Sequence, residues 1–191
     1  MNYLKPAEVI KVLESAKNRG TREHAIVLLG YKHGLRASEI AHLTLEDVRG
    51  GQIDVRRLKG SMHTIQPLAS HANPLLDEPT VLKAWLRERG NADGSQFLFT
   101  SRQGSALSRR QIYNLFEDVA IRAGIEKGRR NPHILKHSLA SNLLRGGASV
   151  AYVQVALGHR DAKNTLLYTN VNDEEAAVVT GQTMDAIFAA A

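Results

Sequence analysis

Between Asn131 and Val171 the chain gathers most of its reactive side chains onto segments too short to be stable alone. Pro132 opens a helix and Gly146-Gly147 closes it. Residues 150–157 form a second short helix, and residues 164–168 a further turn or two. Helices of a few turns gain little from their own hydrogen bonds, so the rest of the chain must supply a scaffold. Along this stretch stand His133, Lys136 and His137, then Gly158-His159, then Tyr168. His159 follows His133 by twenty-six residues and Tyr168 follows His159 by nine. Two protonatable clusters followed by a phenol read as an active site. A phenol can attack phosphorus and hold the product covalently, provided other groups neutralise the phosphoryl oxygens.

The scaffold is legible in order. Pro6 starts a helix that runs to about residue 17, with Val9, Ile10, Val12 and Leu13 at helical spacing. Thr21 is placed to cap the next helix, whose apolar run at residues 25–31 should be buried. His33-Gly34 stops it. A third helix follows over residues 35–43, with Ser38 as its expected cap and Arg36 on the turn outside it. An Arg between two apolar helices is either a surface residue or, held by Glu39, an inward-pointing guanidinium. Residues 52–57 and 62–67 alternate as a β-hairpin, with Lys59-Gly60-Ser61 at its turn. Lys59 is by itself a solvated turn residue. Residues 75–89 form an amphipathic helix with Trp85 and Leu86 toward the core, and Phe97-Leu98-Phe99 is a short buried extended segment. Ser108 caps a helix to about residue 123 whose Ile112, Leu115, Phe116 and Val119 share one face. The tail from Asp173 to Phe188 reads as an Ala-rich helix.

The 191 residues suffice for one domain with a core of its own. No apolar run approaches the length of a membrane span, and the N-terminus lacks a signal-peptide pattern. Cys is absent, which removes disulfides and thiolate chemistry and fits a cytoplasmic chain. The net charge is +6, and the last twenty residues carry only acidic charges, so the body is more basic still. Such a balance suggests a polyanionic partner, nucleic acid first, or else serves solubility alone. Between Arg102 and Arg145 nine basic residues face Glu117, Asp118 and Glu126, the best candidate for a DNA backbone track.

Other chemistries fit poorly. His133 and His137 have a zinc-protease spacing, but Ile134 stands where that motif needs Glu, and no third ligand completes a site, so no metal is expected. There is neither a Gly-x-Ser-x-Gly elbow nor a phosphate-binding glycine loop. The informative pattern is a set in register: Gly34-Leu35-Arg36-Ala37-Ser38-Glu39, then Lys59 eight residues before Pro67-Leu68, then His133-x-x-Lys136, then Leu157-Gly158-His159, then Tyr168. In this order and spacing, over nearly the whole chain, the sequence resembles the tyrosine recombinase, or phage integrase, family.

The resemblance implies an α+β fold, mainly helical, with a small antiparallel sheet. It implies a site-specific enzyme that cleaves and rejoins double-stranded DNA without metal or ATP. Tyr168 would attack the scissile phosphate, giving a 3′-phosphotyrosine and a free 5′-hydroxyl. Arg36 would bind non-bridging oxygens, Lys59 would protonate the leaving oxygen, His133 would assist proton transfer at the nucleophile and His159 would donate to phosphate. Glu39 would orient its neighbours. Arg102, Arg109, Arg110, Arg129 and Arg130 are the candidate DNA contacts. The tail resembles the segment by which family members dock on a neighbouring subunit in a DNA-bound tetramer; packing on its own domain is the equal alternative.

Two departures qualify this. The family motif is His-x-x-Arg, whereas this chain has Lys136, which keeps charge but loses the planar fork. Lys136 is therefore a working substitute, an attenuated one, or the mark of a non-cleaving DNA-binding protein of the same fold. A helix-rich transcription regulator is the reading from another class. The second departure is length: residues 1–191 read as a single catalytic domain, without the N-terminal core-binding domain that family members usually carry. If phosphate neutralisation dominates binding, DNA affinity falls steeply with salt, by about 1000-fold or more between 50 and 200 mM for six or more phosphate contacts. A filter-binding titration across that range measures the slope, and a flat one excludes the basic track.

Overall fold

A computed structural model describes residues 3–57, 61–91, 94–101, 103–161, 163–166 and 168. Its centre is a helix that is apolar on nearly every side. Helix α2 (Thr21–Lys32) buries Ala25, Ile26, Val27, Leu28, Leu29 and Gly30 in succession. A helix without a polar face needs neighbours all round. They are α1 (Pro6–Arg19), α3 (Ala37–His42), α4 (Glu78–Arg89) and α6 (His133–Arg145), all packed against it. Helix α5 (Arg109–Arg122) closes the bundle against α1 and α3. Two short helices, α7 (Val150–Ala156) and α8 (Lys163–Leu166), follow α6, and a smaller apolar cluster of Leu139, Ala140, Val153 and Leu157 seats α7 on it.

The sheet is a two-stranded antiparallel hairpin. Strand β1 (Gln52–Val55) pairs with β2 (Thr64–Pro67) in the register Gln52–Pro67, Ile53–Gln66, Asp54–Ile65 and Val55–Thr64. Ile53 and Val55 point into the core, and the alternation leaves Asp54 and Ile65 outward. The extended segment at Phe97 is bound to the chain after α3. The Leu98 N–H donates to the Leu43 carbonyl at 2.7 Å and the Leu45 N–H to the Gln96 carbonyl at 2.9 Å. Trp85 stacks on Phe99 with centroids 6.2 Å apart and donates its indole N–H to the Leu98 carbonyl at 3.0 Å.

The helix starts obey local chemistry with three corrections. Ser108 caps α5 as expected, accepting the Gln111 N–H at 3.2 Å. Thr21 does not cap α2: the chain enters it from Gly20, and the Thr21 hydroxyl donates to Glu88 instead. Nor does Ser38 cap α3. Arg36 is the capping residue, in extended backbone, and the Glu39 carboxylate reaches back to accept the Arg36 N–H at 2.8 Å. Helix α4 starts at Glu78, three residues later than expected, because the chain from Pro74 to Asp77 turns before it. Among the described residues no helix is long and apolar enough to cross a membrane. The expected tail helix, like Lys59 and Arg102, lies outside the described residues.

Phe99 is fully buried and stacked. Phe99→Ala is expected to cost about 3–5 kcal/mol of stability by urea denaturation. A loss below about 1 kcal/mol would mean that this wall of the core is not formed as described.

Candidate active site

Elements distant in sequence bring the predicted side chains to one face. Capping geometry holds Arg36: its Nη1 donates to Glu39 Oε1 at 2.9 Å and to the Ser61 hydroxyl at 3.1 Å. Glu39 is 4% exposed, whereas about a quarter of the Arg36 side chain reaches solvent. A carboxylate so buried must be matched by positive charge. Arg57, whose side chain is fully buried, adds it from below, with Nη1 3.4 Å from the second Glu39 oxygen. Arg57 also donates to the carbonyls of His33, Gly34 and Ala156 and, through Nε, to Thr64. One guanidinium thereby ties the hairpin, the α2–α3 turn and the end of α7 together. Burial lowers its proton affinity, and Glu39 opposes that shift.

Lys136 lies in α6 above this pair. It is 6% exposed and donates from Nζ to the Leu157 carbonyl at 2.9 Å. Burial, then the Arg57 and Arg36 charges, lower its pKa to about 7. His133, one turn earlier, has its pKa lowered by burial, then by Arg109, Arg36 and Lys136. Its ring meets the edge of Tyr113 at 6.1 Å. Gly158 turns the chain into His159 with φ +62°, and a Cβ there would lie 2.8 Å from the Met62 carbonyl and 3.2 Å from Arg57. Only glycine fits that seam, which the Met62 N–H closes by donating to the Gly158 carbonyl at 2.9 Å. The same crowding acts at Gly34, φ +56°, where a Cβ would lie 2.5 Å from Leu157.

His159 is 6% exposed, with Nδ1 2.9 Å from the buried Thr165 hydroxyl. Burial, then Lys136, Arg36, Arg57 and His137, push its pKa down to about 4. Its ring stacks on Tyr168 at 6.5 Å and 16°. The Tyr168 hydroxyl lies 2.8 Å from His137 Nδ1. Burial raises the phenol pKa and Arg36 pulls it back. Thus Arg36, Glu39, His133, Lys136, His159 and Tyr168 form one electrostatically connected cluster: cations, neutral imidazoles and a protonated phenol, an arrangement suited to an anionic ligand.

The DNA-contact candidates divide. Arg109 and Arg110 are exposed at the start of α5, where Arg109 sits 5.2 Å over the Tyr113 ring, close to His133. Arg129 is held by partners within the protein. Its guanidinium is neutralised by Glu8 at 2.8 Å and Glu126 at 3.6 Å and bonds the Tyr3 carbonyl. Arg130 gives its Nε–H to the Ile125 carbonyl at 2.6 Å. Sequence reasoning missed Arg57 and His137. The alternation Ile53, Val55, Arg57 already places Arg57 on the buried face of its strand. His137 shares a helix face with His133, a relation read only as a failed metal motif.

A sequence model of the phage integrase family matches residues 2–175. The type 1 fimbriae regulatory protein FimE of Escherichia coli K12 is 37% identical over 158 residues, which cover 80% of this chain and 76% of FimE. The tyrosine recombinase XerD of Staphylococcus epidermidis is 35% identical over 172 residues, covering 88% of this chain and 57% of XerD. The crystal structure of XerA recombinase superposes with TM-score 0.75 at 29% identity over 95% of this chain and 64% of that one. The chain belongs to the phage integrase family, the tyrosine recombinases, and has the fold of their catalytic domains.

Arg57→Met leaves the Glu39 charge short of a partner and takes the side-chain donor from the His33 and Gly34 carbonyls. The expected cost is about 3–5 kcal/mol in urea denaturation. A cost under about 1 kcal/mol would show that Arg57 does not tie these elements together.

Proposed function

We propose that this chain is a site-specific DNA strand transferase that cleaves and rejoins double-stranded DNA through Tyr168. The observation that carries the reading is the gathering of Arg36, Lys136, His133 and His159 into one electrostatically connected cluster, against which Tyr168 lies through its contact with the His159 ring and its exposure to the Arg36 charge. In this mechanism the scissile phosphate enters the cationic face, and Arg36 and Lys136 neutralise its non-bridging oxygens. Tyr168 attacks phosphorus, and the 5′-oxygen leaves with a proton from Lys59. A phenol with an ordinary pKa near 10 is a poor nucleophile at neutral pH until its charge flows onto a neutralised phosphoryl centre. The 3′-phosphotyrosine retains the energy of the broken bond, so religation needs no cofactor. His159, uncharged at neutral pH, contributes a hydrogen bond rather than a charge. A main core that joins α1 to α6, with a smaller cluster seating α7 on α6, supports reading the described residues as parts of a single catalytic domain. Exchange between two duplexes requires several active sites at once, which supports assembly of copies on DNA.

Lys136 makes the activity attenuated rather than absent. With a pKa of about 7, it carries its charge below that pH and loses it as pH rises through it. An Arg stays charged throughout and adds a second donor. The experiment is covalent trapping on nicked duplexes drawn from a library of randomised half-sites. A trapped adduct that vanishes in Tyr168→Phe is expected, and no adduct on any duplex would favour a non-cleaving DNA-binding protein. At limiting DNA, where the rate reports the free chain, cleavage by the native protein should fall as pH rises through about 7. Lys136→Arg should remove that fall and cleave at an equal or higher rate; a large loss would mean that the site has been rebuilt around Lys.

A further inference from the structure

We propose that His137 is a further catalytic residue, the base that takes the phenolic proton of Tyr168. This rests on the reading of Tyr168 as nucleophile. His137 Nδ1 stands 2.8 Å from the Tyr168 oxygen, the atom that would form the new bond to phosphorus, and the two rings are 5.5 Å apart. That is hydrogen-bonding reach, the first requirement of a general base. His133, to which family resemblance gives proton transfer at the nucleophile, is turned elsewhere: its ring lies against Tyr113 and is influenced by Arg109 and Arg36. The two imidazoles, one turn apart on α6, therefore divide the work, His133 on the side of the arginines and His137 on the side of the phenol.

Protonation states fit this division. Solvent reaches one side of the His137 ring, but protein covers enough of the other to lower its pKa, and His133 and Lys136 on the same helix add to the effect. His159 faces it from the turn after α7, and Tyr31 of α2 joins Tyr168 in the adjoining apolar cluster. At neutral pH the imidazole is uncharged, with a lone pair free on Nδ1 when the proton is on Nε2. The Tyr168 phenol keeps its proton because burial raises its pKa. In the step, the O–H bond of Tyr168 breaks and its proton moves to Nδ1 as the oxygen bonds to phosphorus. The bond from phosphorus to the 5′-oxygen breaks, and its electron pair leaves on that oxygen, which takes the Lys59 proton. Religation runs the same transfers backwards, with His137 returning the proton to the departing phenolate.

The test is single-turnover formation of the covalent complex on a nicked duplex selected from the randomised library. His137→Asn places an amide oxygen near the position of Nδ1, so it keeps the hydrogen bond but cannot take a proton. General bases contribute about 100-fold or more, so His137→Asn and His137→Ala should both slow cleavage by about that factor. Thermal melting of His137→Asn should match the native chain, since the side chain is exposed. A fluorinated tyrosine at position 168, which gives up its proton at lower pH, should recover about 10-fold or more of the His137→Asn loss and nothing of an Arg36→Ala loss. The acid-side fall in the rate of the native chain should lie below the usual imidazole range and vanish in His137→Asn. A native-like rate for His137→Asn, or no recovery with the fluorinated tyrosine, overturns the proposal and leaves Tyr168 as nucleophile. An adduct that persists in Tyr168→Phe overturns the nucleophile itself and the proposal with it.

Discussion

The carboxylate of Glu39 is the charge around which the site is arranged. Buried beneath the α2–α3 turn, it would be prohibitively costly alone, and its two oxygens are matched by guanidiniums from opposite directions. Arg36 comes from its own helix start and Arg57 from the hairpin. The pairing with Arg36 is local, fixed by three-residue spacing and by the capping geometry of α3. The pairing with Arg57 is long-range, and it recruits the hairpin and the end of α7. One buried anion thus orients the exposed cation and anchors two other elements beneath it.

Positive charge at this face exceeds what Glu39 offsets. Arg36, Arg57 and Lys136 each lower the proton affinity of the imidazoles or of one another. The consequence is a site whose histidines are neutral at physiological pH and whose buried lysine is poised near its titration point. A phosphodiester entering the site would relieve this repulsion and return Lys136 toward its charged form. The arrangement favours a ligand that brings its own negative charge and disfavours a neutral one.

Much of this was legible in the chain itself. The all-round apolar run of α2, the period-two alternation of the hairpin and the Ser108 cap each follow from local rules, and the structure contains all three. The dispersed motif also located Arg36, Glu39, His133, Lys136, His159 and Tyr168, which the fold brings together. What escaped was set by tertiary contact. Thr21 bonds Glu88 across to α4 rather than capping its own helix, and Arg129 meets Glu8 from the far end of the sequence. Of its two acidic partners only Glu126 stands near Arg129 in sequence, and the shorter contact is the distant one with Glu8. His137 becomes informative only once Tyr168, thirty-one residues later, folds back over it.

The crowded joint at Gly158 has a mechanical meaning. A ribbon of two strands has no third strand to steady it, and here the turn before His159 takes that place through one main-chain bond to Met62. The ribbon and the turn are geared without slack, since even a methyl group would not fit between them. A displacement of the ribbon at Met62 would be transmitted along the backbone to the imidazole stacked on the phenol. Movement of the hairpin and placement of the phenol are then two readings of a single displacement.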